Sequence, residues 1–210
     1  MVTAVILAAG ESRRMGSQNK LLLPFKGKTI VEHVVDHVLE SAAAEVIVVL
    51  GHEADRIREQ LKIKPVRFAM NHEFQLGMTT SIRAGVAAAS PNAEGFMICL
   101  SDLPFITAQE FTQLIRAFEA AHANSEKQIV VPVHQGRRGN PVIFSARFKD
   151  EILAHKGLQG CKGLIKERPD KVLEVEVLSK NALQDIDTPE DYCAIAQAAA
   201  ELALAQSSTS

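Results

Sequence analysis

Two periodicities of apolar and polar positions alternate along this chain. Five short apolar runs predict strands, namely TAVILAA from Thr3, EVIVVL from Glu45, PVRFAM from Pro65, GFMICLS from Gly95 and QIVVPV from Gln128. Between most of them, apolar residues recur at helical spacing, most clearly in the stripe Ile30, Val31, Val34, Val35, Val38 and Leu39. Further helices are predicted near 53–62, 78–89, 107–122, 146–154 and 188–205. This alternation predicts an α/β fold with a doubly wound, mainly parallel sheet and helices on both faces.

Length and spacing favour a single domain. The chain has 210 residues, 47% of them hydrophobic, with neither an internal repeat nor a dividing linker. We expect this domain to span 1–205, and the polar end at 206–210 to be a disordered tail. In a sheet of this kind, ligands bind beyond the carboxyl ends of the strands, so the residues just after each strand are the first candidates for a site.

Composition excludes several classes of function. The net charge of −2, the absence of Trp and the single Tyr argue against nucleic-acid binding. Cys99, Cys161 and Cys193 are odd in number and far apart, which indicates neither a disulfide framework nor a zinc site. Cys99 is expected to be a small core residue. The apolar runs are too short for a membrane span, so we expect a cytoplasmic protein without membrane contact.

The loop after the first strand has the features of an anion site. Residues 7–20 read LAAGESRRMGSQNK, in which Ala8, Ala9 and Gly10 leave the backbone N–H groups accessible. Arg14 and Lys20 then supply positive charge, as does Arg13, which can equally face water. The loop matches neither the phosphate-loop motif nor the dinucleotide G-x-G-x-x-G motif. An exposed basic turn is the alternative interpretation.

The same stretch resembles a known family. LAAGESRRMGSQNK is similar to the L-A-A-G-x-S-x-R-M-G-x-x-K segment of nucleotidyltransferases related to molybdenum cofactor cytidylyltransferase, although Lys20 comes one residue later. GMTTSIRAG at 77–85, SDLPFI at 101–106 and DIDTPEDY at 185–192 agree with the same family. GRRGNPVIF at 136–144 is similar to its G-x-R-G-H-P-V segment, with Asn140 in place of the common His. The resemblance is ordered and spans nearly the whole chain.

This resemblance implies a reaction. A CMP group would pass from CTP to the phosphate of a molybdopterin-type cofactor, releasing pyrophosphate with Mg²⁺ as cofactor, and a molybdenum hydroxylase would be a possible partner. Ala9 indicates cytosine, because the guanylyl branch of the family usually has Gly there. Two alternatives stay open: a cytidylyl- or uridylyltransferase for a sugar or polyol phosphate, and a non-catalytic nucleotide or cofactor chaperone. GLQGCKG at 157–163, where the family commonly has G-D-x-G-A-R, gives the chaperone its weight.

The resemblance also implies residue roles. Arg14, Lys20 and Asp102 would be catalytic, with Asp102 and Asp187 holding the metal ion. The resemblance implies either Asp185 or Asp187 as the second carboxylate, and we choose Asp187 because it lies at the helix entrance, closer to the loops. The nucleotide-binding set is Leu7, Ala8, Ala9, Gly10, Arg14, Lys20, Gly77, Ser81 and Asp102, and the acceptor-binding pair is Arg138 and Asn140. Thr107 with Glu110 already explains the start of the next helix, which leaves Asp102 available as a hard-cation ligand after its strand.

Simpler roles remain open for several of these residues. Asp187 could belong to the helix start that Thr188 caps, and Ser81 could cap its own helix. Arg138 could lie in an ordinary exposed hairpin. His33 and His37, one turn apart, resemble a zinc-binding pair only superficially, and we interpret them as surface histidines.

Overall fold

The computed structural model of the protein describes residues 1–16, 18–124, 127–157 and 160–195. Its strands are β1 (Val2–Ala8), β2 (Pro24–Phe25), β3 (Lys28–Thr29), β4 (Glu45–Leu50), β5 (Arg67–Met70), β6 (Gly95–Leu100), β7 (Ile129–His134), β8 (Arg137–Arg138), β9 (Val142–Ser145) and β10 (Val172–Glu176). Its α-helices are α1 (Ile30–Leu39), α2 (Ala54–Gln60), α3 (Met78–Ala88), α4 (Ala108–Asn124), α5 (Lys149–Ala154) and α6 (Lys162–Glu167). Within the described ranges, no helix has both the length and the apolar character that crossing a bilayer requires.

The main sheet is mixed but mostly parallel. Its strand order is β10-β7-β9-β6-β1-β4-β5, and β8 pairs with β7. Strand β1 lies at its centre, parallel to both β4 and β6, while β9 runs antiparallel between β6 and β7. The five predicted strands are all present, and the predicted α/β class is confirmed. The buried runs of β1 and β4 follow from their position, because a central strand has helices on both faces.

Helices cover both faces of the sheet, and the sheet divides the hydrophobic core into two layers. The first layer packs side chains from α1, α2 and α4, including Val34, Ile57 and Phe111, against one face of the central strands. The second packs side chains from α3, α5 and α6 against the other face. At Gly85 of α3 the layers approach closely, because an added Cβ would lie only 2.2 Å from Val5 Cγ1.

The structure also contains elements that the sequence patterns did not indicate. Strand β9 has only four residues, and β10 (VLEVE) mixes apolar residues with two exposed glutamates, so neither forms a long apolar run. The hairpin of β2 and β3, strand β8 and helix α6 were missed for the same reason of shortness. Of the helix predicted over 188–205, residues 189–195 are helical, and its remainder lies outside the described residues, as does the predicted tail at 206–210.

Candidate active site

A cavity of about 520 Å³ opens at the carboxyl ends of β1 and β6. Loops that follow these strands form its wall, together with the start of α3 and the segment after β10. The lining residues are Leu7, Ala9, Gly10, Glu11, Ser12, Arg13, Arg14, Lys20, Leu21, Phe74, Gly77, Met78, Ser81, Leu100, Ser101, Asp102, Asp185 and Asp187. Residues far apart in the chain therefore meet at the edge of the sheet where ligands of such folds bind.

The turn after β1 is held by its neighbours on both sides. The Ser101 hydroxyl donates to the carbonyl of Leu7 at 2.6 Å, and the backbone N–H of His52 donates to the carbonyl of Ala9 at 3.2 Å. Gly10 is exposed, and a Cβ added to it would meet no atom of the described residues within 4 Å. Because this turn is held by hydrogen bonds and its backbone is uncovered at Gly10, a ligand can approach the backbone closely there.

A cluster of cations and carboxylates forms one side of the cavity. The Lys20 ammonium donates to Asp102 Oδ2 at 2.6 Å and to Asp187 Oδ1 at 2.8 Å. The Arg14 guanidinium pairs with the other oxygen of Asp187. Burial alone would lower the pKa of Lys20, but the adjacent Asp102 and Asp187 carboxylates outweigh it and raise that pKa. Hydrogen bonding from Lys20, with the charge of Arg14 nearby, lowers the pKa of Asp187. The pairing thus keeps Lys20 and Asp187 ionised.

Two features of the carboxylates bear on metal binding. Asp102 Oδ1 is buried without a hydrogen-bond partner among the described residues. Burial, followed by the charges of Asp187 and Asp102, raises the pKa of Asp185 on the same wall. The described residues contain no group of three or more His, Cys, Asp or Glu side chains arranged around a metal position. Two carboxylates nevertheless fit Mg²⁺, because this ion commonly takes one or two protein carboxylates and completes its shell with water and substrate phosphates.

The segment that carries Asp187 is fixed to the segment that carries Asp102. Between Asp185 and Asp187, the backbone N–H of Ile186 donates to the carbonyl of Asp102 at 3.1 Å, and the Ile186 side chain is fully buried. Helix capping at 188–191 involves Thr188 and Asp191, which exchange hydrogen bonds at 2.9 to 3.2 Å. The Asp187 carboxylate takes no part in that exchange and instead contacts Arg14 and Lys20.

The interpretation of His33 and His37 as surface residues is wrong. Both rings are half-buried, and they bind backbone carbonyls, His33 at Phe25 (2.6 Å) and His37 at Ile106 (2.7 Å). They therefore connect α1 to the β2–β3 hairpin and to the loop that follows Asp102. Burial lowers the pKa of His33. Sequence spacing alone could not show this role, since the acceptors come from distant loops.

Most of the predicted site residues meet at this cavity. The exceptions are Ala8, which is fully buried in β1, and the pair Arg138 and Asn140. Arg138 lies in the exposed strand β8 and donates to Glu174 at 2.7 Å, while the Asn140 backbone N–H donates to the carbonyl of Ala182 at 3.0 Å. Cys99 is buried in β6, as predicted for a core residue.

Several wall residues were not predicted. They are Glu11, Ser12, Leu21, Phe74, Met78, Leu100 and Ser101; Asp185, which also lines the wall, was the alternative to Asp187 for the metal site. Glu11, Ser12, Met78 and Ser101 lay within the motifs of the resemblance, so their positions gave a signal, whereas Phe74 looks like an ordinary apolar residue in the sequence.

The fold and this cavity define an α/β protein with a site suited to phosphorylated ligands, because paired cations, metal-competent carboxylates and an uncovered turn meet at the ligand-binding edge of a doubly wound sheet. The chain belongs to the MobA-like NTP transferase domain family, which matches residues 4–172.

Two related proteins align with different shares of this chain and of their own length. A nicotine blue oxidoreductase of Paenarthrobacter nicotinovorans is 29% identical over 196 residues, covering 90% of this chain and 93% of that protein. The bifunctional protein GlmU of Bacillus thuringiensis is 41% identical over 169 residues, which are 78% of this chain and 36% of GlmU. The chain thus spans only about a third of the GlmU length.

Solved structures share the fold. Rv0371c of Mycobacterium tuberculosis superimposes with a TM-score of 0.81 at 25% identity, covering 93% of this chain and 97% of that one. The same protein in complex with manganese gives a TM-score of 0.72 at 24% identity, covering 93% of this chain and 98% of that one. Molybdopterin-guanine dinucleotide biosynthesis protein A of Archaeoglobus fulgidus gives 0.70 at 17% identity, covering 95% of this chain and 99% of that one.

Proposed function

We propose that this nucleotidyltransferase transfers CMP from CTP to the phosphate of a molybdopterin-type cofactor and releases pyrophosphate. The observation that carries the proposal is the cluster of Arg14, Lys20, Asp102 and Asp187 in the cavity beside the turn at 9–10. A molybdopterin-type acceptor is supported by the sequence motifs. Cytosine is supported by Ala9 in the turn.

The reaction brings two anions together, and the residues of the cavity can reduce their repulsion. An oxygen of the acceptor phosphate attacks the α-phosphorus of CTP, and the bond from that phosphorus to the oxygen bridging to the β-phosphate breaks. Pyrophosphate leaves with the electron pair of the broken bond. Arg14 binds the triphosphate through its guanidinium, and Lys20 supplies a second positive charge next to the α-phosphate. Catalysis then consists of alignment and charge stabilisation, without a covalent intermediate on the protein.

Asp102 and Asp187 would hold a divalent cation, which we propose to be Mg²⁺. When bound, such an ion supplies positive charge at the phosphates during transfer. Asp102 Oδ1, which has no hydrogen-bond partner among the described residues, fits this role. The manganese complex of the Mycobacterium structure is consistent with a divalent cation in this fold, although the likeness at 24% identity concerns the fold alone.

The roles of the remaining predicted residues are part of the same proposal. Leu7, Gly10, Gly77 and Ser81 would contact the nucleoside. Arg138 and Asn140 would bind the acceptor, at the carboxyl end of β7, which runs parallel to β10 and is separated from β6 only by β9.

A pyrophosphate-release assay tests the proposal. Purified protein with Mg²⁺ is given each of CTP, GTP, UTP and ATP in turn, with molybdopterin, molybdenum cofactor, sugar phosphates and polyol phosphates as acceptors. We expect release with CTP and the pterin acceptors. Release only with a sugar or polyol phosphate would favour that substrate class instead.

A binding protein without turnover is the second candidate, favoured by the divergent GLQGCKG segment. Tight CTP binding without pyrophosphate release from any acceptor would support it. Because one relative is named an oxidoreductase, the same preparations should also be assayed for oxidation of NADH. Redox turnover without pyrophosphate release would contradict the transferase proposal.

A further inference from the structure

Asn71 is a buried amide directly behind the cavity wall, and the predicted site residues do not include it. It follows β5, and its backbone N–H donates to the carbonyl of Leu50 at 2.8 Å. Its side chain is only 4% exposed, so each polar atom needs a partner within the protein. Those partners are two hydroxyls near the start of α3 and one backbone amide.

The backbone amide fixes which way the Asn71 side chain points. The N–H of Glu73 lies 2.9 Å from Asn71 Oδ1, and a backbone N–H can only donate. The oxygen must therefore face Glu73, and the NH₂ group must face the hydroxyls. Asn71 Nδ2 accordingly donates to Thr80 Oγ1 at 2.9 Å and to Ser81 Oγ at 3.0 Å.

These two hydroxyls differ in where their own protons can go. Thr80 Oγ1 donates to backbone carbonyls, at 3.0 Å from Glu73 and 2.9 Å from Gly77. Ser81 Oγ accepts from Asn71, but it donates to no acceptor within the ranges that the structure describes. Ser81 is 6% exposed and lines the cavity. The Asn71 N–H occupies a lone pair of Ser81 Oγ. The single proton of the Ser81 hydroxyl is therefore directed elsewhere, into the cavity that Ser81 lines.

We propose that Asn71 is a positioning residue that makes Ser81 a hydrogen-bond donor toward the nucleobase. The inference rests on the proposed nucleotide site and specifies the polarity of one contact in it. Ser81 would then require an acceptor on the base, such as a ring carbonyl oxygen or an unprotonated ring nitrogen, and would disfavour an N–H at that position. Such a contact is selective because a base without the matching acceptor would leave the Ser81 hydroxyl unpaired in an enclosed site.

Asn71→Asp reverses this polarity with little change of shape. A carboxylate still accepts from the Glu73 N–H, but it also accepts the Ser81 proton and draws it away from the cavity. Calorimetric titration with CTP, ribose 5-triphosphate and inorganic tripolyphosphate separates base, sugar and phosphate contributions. We expect the ratio of CTP affinity to ribose 5-triphosphate affinity to fall about three- to tenfold, the usual effect of one neutral hydrogen bond. The new charge would affect all three ligands and cancels in this ratio.

A double-mutant cycle shows whether Asn71 acts through Ser81. Ser81→Ala should lower the same ratio by a similar factor, and Asn71→Asp should lower it no further in the Ser81→Ala background. Thr80→Val is the matched control, because it removes the other hydroxyl that Asn71 contacts, and we expect an unchanged ratio. If Asn71→Asp does not fold, an unchanged ratio in Ser81→Ala would still overturn the inference, with Thr80→Val as its control.

Several outcomes would overturn the inference. They are an unchanged ratio in Ser81→Ala, a ratio in Thr80→Val that falls as far as in Ser81→Ala, and additive effects of Asn71→Asp and Ser81→Ala. Equal losses for CTP and ribose 5-triphosphate would place the contact on the ribose and would equally overturn it. A wild-type protein that binds neither CTP nor tripolyphosphate would refute the proposed function itself, whereas unchanged ratios in a protein that binds both would refute only the role of Asn71.

Discussion

Lys20 holds a positive charge in an almost enclosed position because two carboxylates compensate it. Its side chain is 13% exposed, and without Asp102 and Asp187 the cost of removing the ammonium from water would be several kcal/mol. Arg14 contacts the same Asp187 from the solvent side. These neighbouring cations therefore differ in burial, and substitutions should separate their effects on stability from their effects on binding.

We predict that Arg14→Ala weakens triphosphate binding roughly tenfold or more and leaves the stability of the free protein within about 1 kcal/mol. The side chain is 71% exposed, and an exposed ion pair contributes little to folding, whereas a charged hydrogen bond to phosphate contributes more. Calorimetry and thermal unfolding measure the two effects. Arg13→Ala is a matched control, since Arg13 is 75% exposed and pairs with Glu11 instead of the cluster. Equal losses of affinity in both variants would show that Arg14 has no special position.

Asp102→Asn should lower turnover by roughly 10²- to 10³-fold or more. The change keeps the size of the side chain but removes the charge that makes it a ligand for a hard cation. The lost transition-state stabilisation is several kcal/mol, and about 1.4 kcal/mol corresponds to each tenfold change in rate. Stability should fall only modestly, because Lys20 retains its contact with Asp187.

Steady-state pyrophosphate release at saturating Mg²⁺ and chemical denaturation measure these two quantities for Asp102→Asn. Glu59→Gln, which removes an exposed carboxylate paired with Lys62, controls for loss of one negative charge. Full activity in Asp102→Asn would exclude Asp102 as a metal ligand.

At the scale of helices and strands, the site depends on how closely α3 packs on the sheet. Gly85 lies over Val5 of β1 and Val49 of β4, and these strands lead directly to the turn at 9–10 and to the bridge at 51–53. Helix α3 in turn presents Ser81 to the cavity. Its distance from the sheet therefore sets the position of one cavity wall.

We predict that Gly85→Ala destabilises the protein by about 1–3 kcal/mol. An added Cβ would lie 2.2 Å from Val5 Cγ1 and 2.9 Å from Val49 Cγ2, which forces the helix or the sheet to shift. Helix propensity acts in the opposite direction and favours Ala by about 1 kcal/mol. Ala87→Gly, at an exposed position of the same helix, calibrates that term in urea unfolding. A stabilised Gly85→Ala would mean that this close approach does not limit the packing.

A second element-scale feature is the carboxylate that joins the start of α4 to the segment after β10. Glu110 accepts from the Thr107 N–H at 2.8 Å, from Ser179 and from Asn181 at 3.1 Å. Burial alone would raise the pKa of Glu110, but these hydrogen bonds outweigh it and lower that pKa. The capping box itself was predicted from the spacing of Thr107 and Glu110, whereas the contact with 179–181 depends on the tertiary fold.

Glu110 should therefore contribute stability that is lost in acid. A carboxyl group whose folded pKa is lowered stabilises the protein above its unfolded pKa of 4.5, and this contribution disappears as the pH falls through the folded value. We predict that Glu110→Gln is less stable than wild type near pH 7 and that the difference narrows below about pH 4.5. Urea unfolding from pH 3 to 7 measures it. A constant difference over this range would show that the charge of Glu110 is not responsible.

Sequence patterns predicted strand ends better than the contacts made there. Arg14, Lys20 and Asp102 could be identified because each follows a strand of the parallel sheet, and the carboxyl ends of those strands share one edge. Asn71, His33 and His37 could not be assigned, because their roles depend on carbonyls and hydroxyls supplied by loops distant in sequence. Strand β9 escaped detection because a four-residue apolar run does not distinguish strand from helix.

At the scale of the whole molecule, the cavity joins parts of the chain that meet only in the folded state. Hydrogen bonds connect the end of β1 to Ser101 and the Asp102 backbone to Ile186, and the side chain of Ile186 packs with Phe25 and Ile30. A ligand that contacts several of these segments can bind only the folded protein. Its binding energy should therefore appear as increased resistance to unfolding.

We predict that CTP with Mg²⁺ raises the melting temperature more than GTP with Mg²⁺ does. Stabilisation follows RT ln(1 + [L]/Kd), so a ligand at 100 times its Kd adds about 2.7 kcal/mol, and a tenfold weaker ligand at the same concentration adds only about 1.4 kcal/mol. The difference tests the base, because both nucleotides carry the same triphosphate. Tripolyphosphate with Mg²⁺ supplies the baseline for phosphate binding alone, and Asp102→Asn should reduce the Mg²⁺-dependent part of every shift. Scanning fluorimetry over a range of nucleotide concentrations measures these shifts. A GTP shift equal to or larger than the CTP shift would contradict the assignment of cytosine, while shifts no larger than that of tripolyphosphate would indicate that the cavity recognises phosphate without selecting a base.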